Sequence, residues 1–184
     1  MYSVGLDIGT TSVCGILVDI NSGEIKKSIT LDNDTFIKTE NEFEKIQDAV
    51  KLIGIATSIY DNLTHDATPV SIGITGQMHG IVYIDKNGNA VSNLITWQDK
   101  RADESFKNEV TYCDNIFELT GQTVNTGFGF ATHYYNCINN LVPDNTYSFC
   151  SIMDYLVMKL TETTFPLLHS SVAASFGLFD IKGL

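Results

Sequence analysis

The residues whose types and spacing can do chemistry gather at three places in this chain. The first is Asp7-Ile8-Gly9-Thr10-Thr11-Ser12, where an apolar run (Tyr2 to Leu6) meets an acid and a turn, and a second apolar run (Val13 to Ile20) leaves. Gly9 adopts backbone angles closed to other residues and lets the main chain approach a ligand closely. The hydroxyls and N–H groups of Thr10, Thr11 and Ser12 can then bond phosphate oxygens. A carboxylate repels phosphate, so Asp7 at such a turn suits Mg²⁺ held through water. The same residues also describe an ordinary hairpin with one solvated Asp.

The second place is Gly76-Gln77-Met78-His79-Gly80, directly after a strand pattern. Carboxyl ends of strands are where α/β sheets put ligands. Gln77 and His79 supply directional donors and acceptors there, and the glycines leave room for a substrate. The third is Trp97-Gln98-Asp99-Lys100-Arg101. Trp97 can stack on the apolar face of a sugar, and Asp99 can accept bonds from adjacent hydroxyls. On these five residues alone, a helix start capped by Asp99 with Trp97 in the core is the preferred reading.

Elements must position these groups. Strands at Tyr2 to Leu6, Val13 to Ile20 and Ile25 to Leu31, turning at Asn21-Ser22-Gly23-Glu24, predict an antiparallel meander. Apolar residues at three- and four-residue spacing predict a helix from Glu42 to Leu63, with Glu40, Glu42 and Glu44 around its first turn. Val70 to Thr75 alternates as a strand. Meander, helix, strand is the opening of a ribonuclease-H-like α/β domain. Further on, the pattern predicts strands at Ile81 to Ile84, paired with Leu94 to Thr96, at Ser148 to Ile152 and at Phe176 to Ile181. It predicts helices at Ala102 to Thr111, at Ala131 to Leu141 ahead of Pro143, and at Asp154 to Leu160.

Composition narrows the class. The chain has 184 residues, 43% of them hydrophobic, enough for a sizeable core. A net charge of −11 argues against nucleic acid and anionic membrane as partners. The four cysteines, Cys14, Cys113, Cys137 and Cys150, show no CxxC pairing and read as buried reduced thiols. No basic–apolar leader and no apolar run near the ~18 residues of a membrane span is present, so a cytoplasmic protein is expected.

In this order and at these distances, DIGTTS, GQMHG, LITWQDKR, MDYLVMKLT and ASFGLFDI resemble the amino-terminal half of the FGGY carbohydrate kinases. The resemblance covers almost the whole chain. GQMHG is similar to the ketose-kinase form of its turn, and Leu94 to Asp99 with Thr126 to Gly129 are most similar to sedoheptulokinase, then xylulokinase. It implies an actin-like ATPase fold: core strands and helix over 1–75, a substrate-side insertion over about 76–147, and returning core over 148–184. It implies ATP and Mg²⁺, a ketose as substrate, and a catalytic role for Asp7 beside the metal. Gly9, Thr10, Thr11 and Ser12 correspond to the ATP phosphate turn. Gln77, Met78, His79, Trp97, Asp99, Arg101 and Asp154 correspond to substrate-side positions, Asp154 fitting a structural role equally. Ser170 stands where an Asp is expected. The general base and the adenine-binding domain are expected beyond residue 184, which makes the chain the amino-terminal half of a kinase, inactive on its own. A non-catalytic sugar-binding or scaffold module derived from a kinase lobe is the alternative, and an actin-like ATPase or sugar sensor fits the fold without explaining GQMHG.

Overall fold

A computed structural model describes residues 1–180. Strands β1 (Tyr2–Ile8), β2 (Ser12–Asp19) and β3 (Glu24–Asp32) form the expected antiparallel meander. Alternation decides its faces. Val4, Leu6, Ile8, Val13 and Leu17 are buried, whereas Asp7 between Leu6 and Ile8 points to the opposite, exposed side.

The buried side is covered by a helix that begins later than its periodicity suggests. Two short strands come first, β4 (Phe36–Ile37) and β5 (Ile46–Gln47), and α1 runs over Ala49–Thr64. Asp48 is the N-cap, accepting a bond from Lys51 N–H at 2.9 Å. The predicted helical residues 42–48 are extended or looped because β5 is sandwiched between β4 and a later strand, and Lys45 N–H is held by Asp99. Glu40, Glu42 and Glu44 are therefore outside the helix, whose first turn carries no acid. Leu52, Ala56, Ile59 and Leu63 point at the sheet.

Strand β6 (Pro69–Gly76) returns parallel to β1, giving the order β3-β2-β1-β6. Gly76 thus ends beside Ile8, and the hairpin and the GQMHG turn emerge from neighbouring strand ends. Strand β7 (Val82–Ile84) follows, then β8 (Leu94–Ile95), which pairs with β5 and bridges to Ile81, the residue before β7.

The helix expected over 102–111 is absent. Arg101–Asp103 is a single 3-10 turn, and β9 (Ser105–Lys107) and β10 (Val110–Thr111) form a hairpin. Asn108 (φ 49°) and Glu109 (φ 65°) make its two-residue loop, both in the left-handed region such tight loops require. The helix starts instead at α2 (Tyr112–Thr120), because Thr111 and Asp114 satisfy each other's backbone in a capping box. Helix α3 (Gly129–Ile138) matches its expected segment but stops short of Pro143. Strand β11 (Ser148–Cys150) pairs with β7, and Ser151 caps α4 (Ile152–Thr161).

A six-residue helix, α5 (Ser170–Ser175), was not foreseen, and the strand expected from Phe176 is not formed over 176–180. Gly177 (φ 79°) and Leu178 (φ 56°) are left-handed in succession, which no strand allows. The last residue of that expected strand, Ile181, lies outside the described residues. The four thiols are free; Cys150 is buried as expected, Cys14 and Cys113 are half-buried, and Cys137 is exposed. Among the described residues no helix is long and apolar enough to cross a membrane.

Candidate active site

Between β1 and β2 the chain reverses in three residues, Gly9, Thr10 and Thr11. A Cβ on Gly9 would lie 2.7 Å from the Ser12 carbonyl oxygen, so glycine is required for space; its backbone is not left-handed, contrary to the sequence expectation. Asn33 ties the loop from outside, donating through Nδ2 to Gly9 O at 2.9 Å and through its N–H to Thr11 O at 2.9 Å.

Thr10 faces inward, into a closed ring of hydrogen bonds. Its hydroxyl donates to Gln77 Oε1 at 3.5 Å, Gln77 Nε2 donates to Gln47 Oε1 at 2.8 Å, and Gln47 Nε2 donates back to Thr10 O at 3.0 Å. Trp97 Nε1 adds a bond to Thr10 Oγ1 at 3.0 Å. Each of the three residues both donates and accepts around this ring, and Gln47 and Gln77 are buried, so the arrangement is stiff. It brings together the hairpin, the GQMHG turn and Trp97, three segments far apart in sequence. Gln47 is the residue that sequence reasoning missed, because its place in an apolar helical pattern gave it no chemical signal. The hydroxyls of Thr11 and Ser12, by contrast, have no described hydrogen-bond partner. Neither does the Asp7 carboxylate, which is exposed.

The GQMHG turn splits its residues by direction. Gln77 is spent on the ring, Met78 is half-exposed, and His79 occupies the left-handed region at φ 71° while Gly80 N–H closes onto Met78 O at 2.9 Å. This is a γ-turn centred on a non-glycine residue with positive φ, a rare and strained arrangement of the kind that concentrates at functional sites. The His79 ring stacks on Phe128, with centroids 4.4 Å apart and planes 10° from parallel, and its Nδ1 bonds the Ser175 carbonyl.

Trp97 is 47% exposed, so it is not a core residue. Its backbone is pinned by Thr96, whose N–H and hydroxyl both donate to Lys45 O, and by Gly127 (φ 80°), where a Cβ would fall 2.0 Å from Trp97 O. Asp99 is 0% exposed and fully bonded within the protein. Its Oδ1 accepts from Arg101 Nε at 2.7 Å, its Oδ2 from Arg101 Nη2 and Lys45 N–H, each at 3.0 Å. Arg101, itself buried, continues through Nη1 to Asn136 Oδ1 at 2.7 Å, and Asn136 Nδ2 reaches the Tyr83 hydroxyl at 3.1 Å. Burial pushes the Tyr83 phenol up to about 12.

Asp154 lies apart from this ring. Its carboxylate closes the capping box of α4, accepting from the Ser151 hydroxyl at 2.6 Å and the Ser151 N–H at 3.3 Å. Burial raises its pKa above the usual carboxylate range, with the Ser151 bonds opposing the shift.

No group of three or more His, Cys, Asp or Glu that could hold a metal exists among the described residues. Asp7 alone, exposed and unbonded, fits Mg²⁺ that keeps its waters and is shared with phosphate.

A sheet in which a parallel strand follows an antiparallel meander, with a hairpin and a polar turn at adjacent strand ends, defines a ribonuclease-H-like α/β domain. The chain belongs to the FGGY family of carbohydrate kinases, whose N-terminal domain it matches over residues 2–184. It is 29% identical to the xylulose kinase of Staphylococcus xylosus, covering 98% of this chain and 38% of that protein. It is 28% identical to the sedoheptulokinase of Mus musculus, covering 98% of this chain and 42% of that one. Among solved structures, the xylulose kinase from Rhodospirillum rubrum superposes with a TM-score of 0.81 at 20% identity, covering 100% of this chain and 39% of that one, which shows the shared actin-like ATPase fold. The chain spans about two-fifths of the length of these relatives.

Proposed function

We propose that this chain is the sugar- and phosphate-facing domain of an ATP-dependent ketose kinase, with 1–75 and 148–184 as core and about 76–147 as the substrate-side insertion. The observation that carries this reading is the closed Thr10–Gln77–Gln47 ring with Trp97 joined to it, which couples a phosphate-type turn to a sugar-type turn. Transfer of a γ-phosphoryl group to a hydroxyl is won mainly by positioning and charge neutralisation. The amides of 9–12 and the free hydroxyls of Thr11 and Ser12 would bind phosphate oxygens, and Asp7 would hold Mg²⁺ through water. That cation would supply neutralisation of the phosphate charge.

On the sugar side, His79, Met78 and Trp97 touch the substrate, Trp97 by stacking and His79 by a hydrogen bond. Gln77, Asp99 and Arg101 act one step back, as positioning residues, since their polar atoms are already spent on the protein. Asp154 is a helix cap. A general base would take the hydroxyl proton, and exclusion of water from the site would limit wasteful hydrolysis.

The test is a coupled ADP-release assay on the proposed kinase with sedoheptulose, xylulose, ribulose and glycerol. The expected ranking of kcat/KM puts sedoheptulose first and xylulose second. A clear preference for glycerol overturns the ketose assignment.

A further inference from the structure

Four consecutive carbonyls at the hairpin are each held by an N–H group from outside it. Ile8 O accepts from Gln77 N–H at 2.9 Å, Gly9 O from Asn33 Nδ2 at 2.9 Å, Thr10 O from Gln47 Nε2 at 3.0 Å and Thr11 O from Asn33 N–H at 2.9 Å. A trans peptide points its N–H opposite to its C=O, and the described residues contain no cis bond. The N–H groups of Gly9, Thr10 and Thr11 are therefore turned away from Gln77, Asn33 and Gln47. None of the three has an acceptor among the described residues. Successive N–H groups in a turn, with every carbonyl occupied elsewhere, suit an anion.

Asn33 holds two of the four carbonyls, and its own direction is fixed. Its Oδ1 accepts from the Thr35 N–H at 3.3 Å and from the Thr35 hydroxyl at 2.5 Å. A backbone N–H only donates and a carbonyl only accepts, so Oδ1 must face Thr35 and Nδ2 must face Gly9 O. Both residues are buried, and Thr35 O takes the Asp48 N–H at the start of α1, which anchors the lock.

We propose that Asn33, aimed by Thr35, is a positioning residue for phosphate, keeping the hairpin carbonyls turned outward so that the N–H groups face the anion. This rests on the phosphate side of the kinase reading and adds to it two residues that touch no ligand. A flipped Gly9–Thr10 peptide would set a carbonyl oxygen against a phosphate oxygen, acceptor against acceptor. Asn33 Nδ2 opposes that flip. Gln47 does the same for the Thr10–Thr11 peptide, but its loss would also break the ring to Gln77, so Asn33 is the cleaner probe.

The test follows ¹H–¹⁵N amide spectra of the 184-residue chain during titration with inorganic tripolyphosphate and Mg²⁺. In the parent chain the Gly9, Thr10 and Thr11 amide signals should move saturably. Asn33→Ala removes the side-chain donor and adds no charge. It should weaken tripolyphosphate about tenfold, as when one hydrogen bond to a charged group is lost, while the amide spectrum away from residues 8–12 and 33–35 keeps its parent positions. Thr35→Val keeps the donor and removes the hydroxyl that aims it. A smaller loss in the same direction is expected there, and this variant carries the test if Asn33→Ala does not fold. Unchanged tripolyphosphate affinity in the folded variants overturns the inference alone, and so does a loss accompanied by shifts throughout the spectrum, which would make the role merely structural. Tripolyphosphate that moves no hairpin amide in the parent chain defeats the phosphate reading itself, and the inference with it.

Discussion

Asp7→Asn in the kinase proposed to contain this domain is expected to lower kcat by about 10²-fold or more while leaving sugar affinity unchanged. The side chain is exposed on the sheet face away from α1, has no described partner, and sits at the mouth of the hairpin where phosphate would lie. Losing its charge removes the anchor for a hydrated cation, whose neutralising effect grows as charge shifts in the transition state. An interaction made mainly in the transition state shows in kcat, whereas one made in the ground state shows in binding. Steady-state kinetics with calorimetric sugar titration separate the two. Intact turnover with abolished sugar binding would invert the assignment of the hairpin and the GQMHG turn.

Asp99→Ala is expected to act on stability. The Asp99–Arg101 pair is buried on both sides, with Asp99 0% and Arg101 5% exposed. Removing the carboxylate leaves a buried guanidinium with a hydrogen bond to Asn136 and the Tyr135 ring face but no countercharge, and frees Lys45 N–H, which fixes the start of β5. Breaking such a pair from one side costs about 3–5 kcal/mol. For a chain of this size that corresponds to a fall in melting temperature of roughly 6–20 °C. If Asp99 instead bonds a sugar hydroxyl, as the family resemblance implies, the variant would melt near the parent temperature and lose sugar affinity. Differential scanning calorimetry with and without sugar decides between them.

How much of this was legible in the sequence follows from which interactions are local. The meander, α3, α4 and the hairpin were readable because alternation, three- and four-residue periodicity and a Gly-Thr-Thr turn are written within a few residues of each other. The start of α1 was not. Ile46 continues an apolar helical pattern, yet it pairs with Ile37 and Ile95, and only the later chain determines that. The 102–111 segment failed differently: two consecutive non-glycine residues in a left-handed loop carry little turn signal, and the Thr111–Asp114 capping box that was present went unused.

At the candidate site, residue types were visible and directions were not. Thr10 looked like Thr11 in the sequence, but one hydroxyl closes the ring to Gln77 and the other stays free. Asp99 looked like a sugar acceptor until Arg101, two residues on, occupied both of its oxygens. Gln47 was invisible because a buried amide is informative only once its partners from 10 and 77 are in place.

Trp97 permits the most direct test of the central claim, because it is the single tryptophan of the chain and its indole lies at the junction of hairpin and sugar turn. Titration of the 184-residue chain with sedoheptulose or xylulose, followed by tryptophan emission and by calorimetry on the same samples, should give a saturable emission change with the calorimetric Kd. Binding heat without any change in Trp97 emission would place the sugar elsewhere and contradict the assignment of this site.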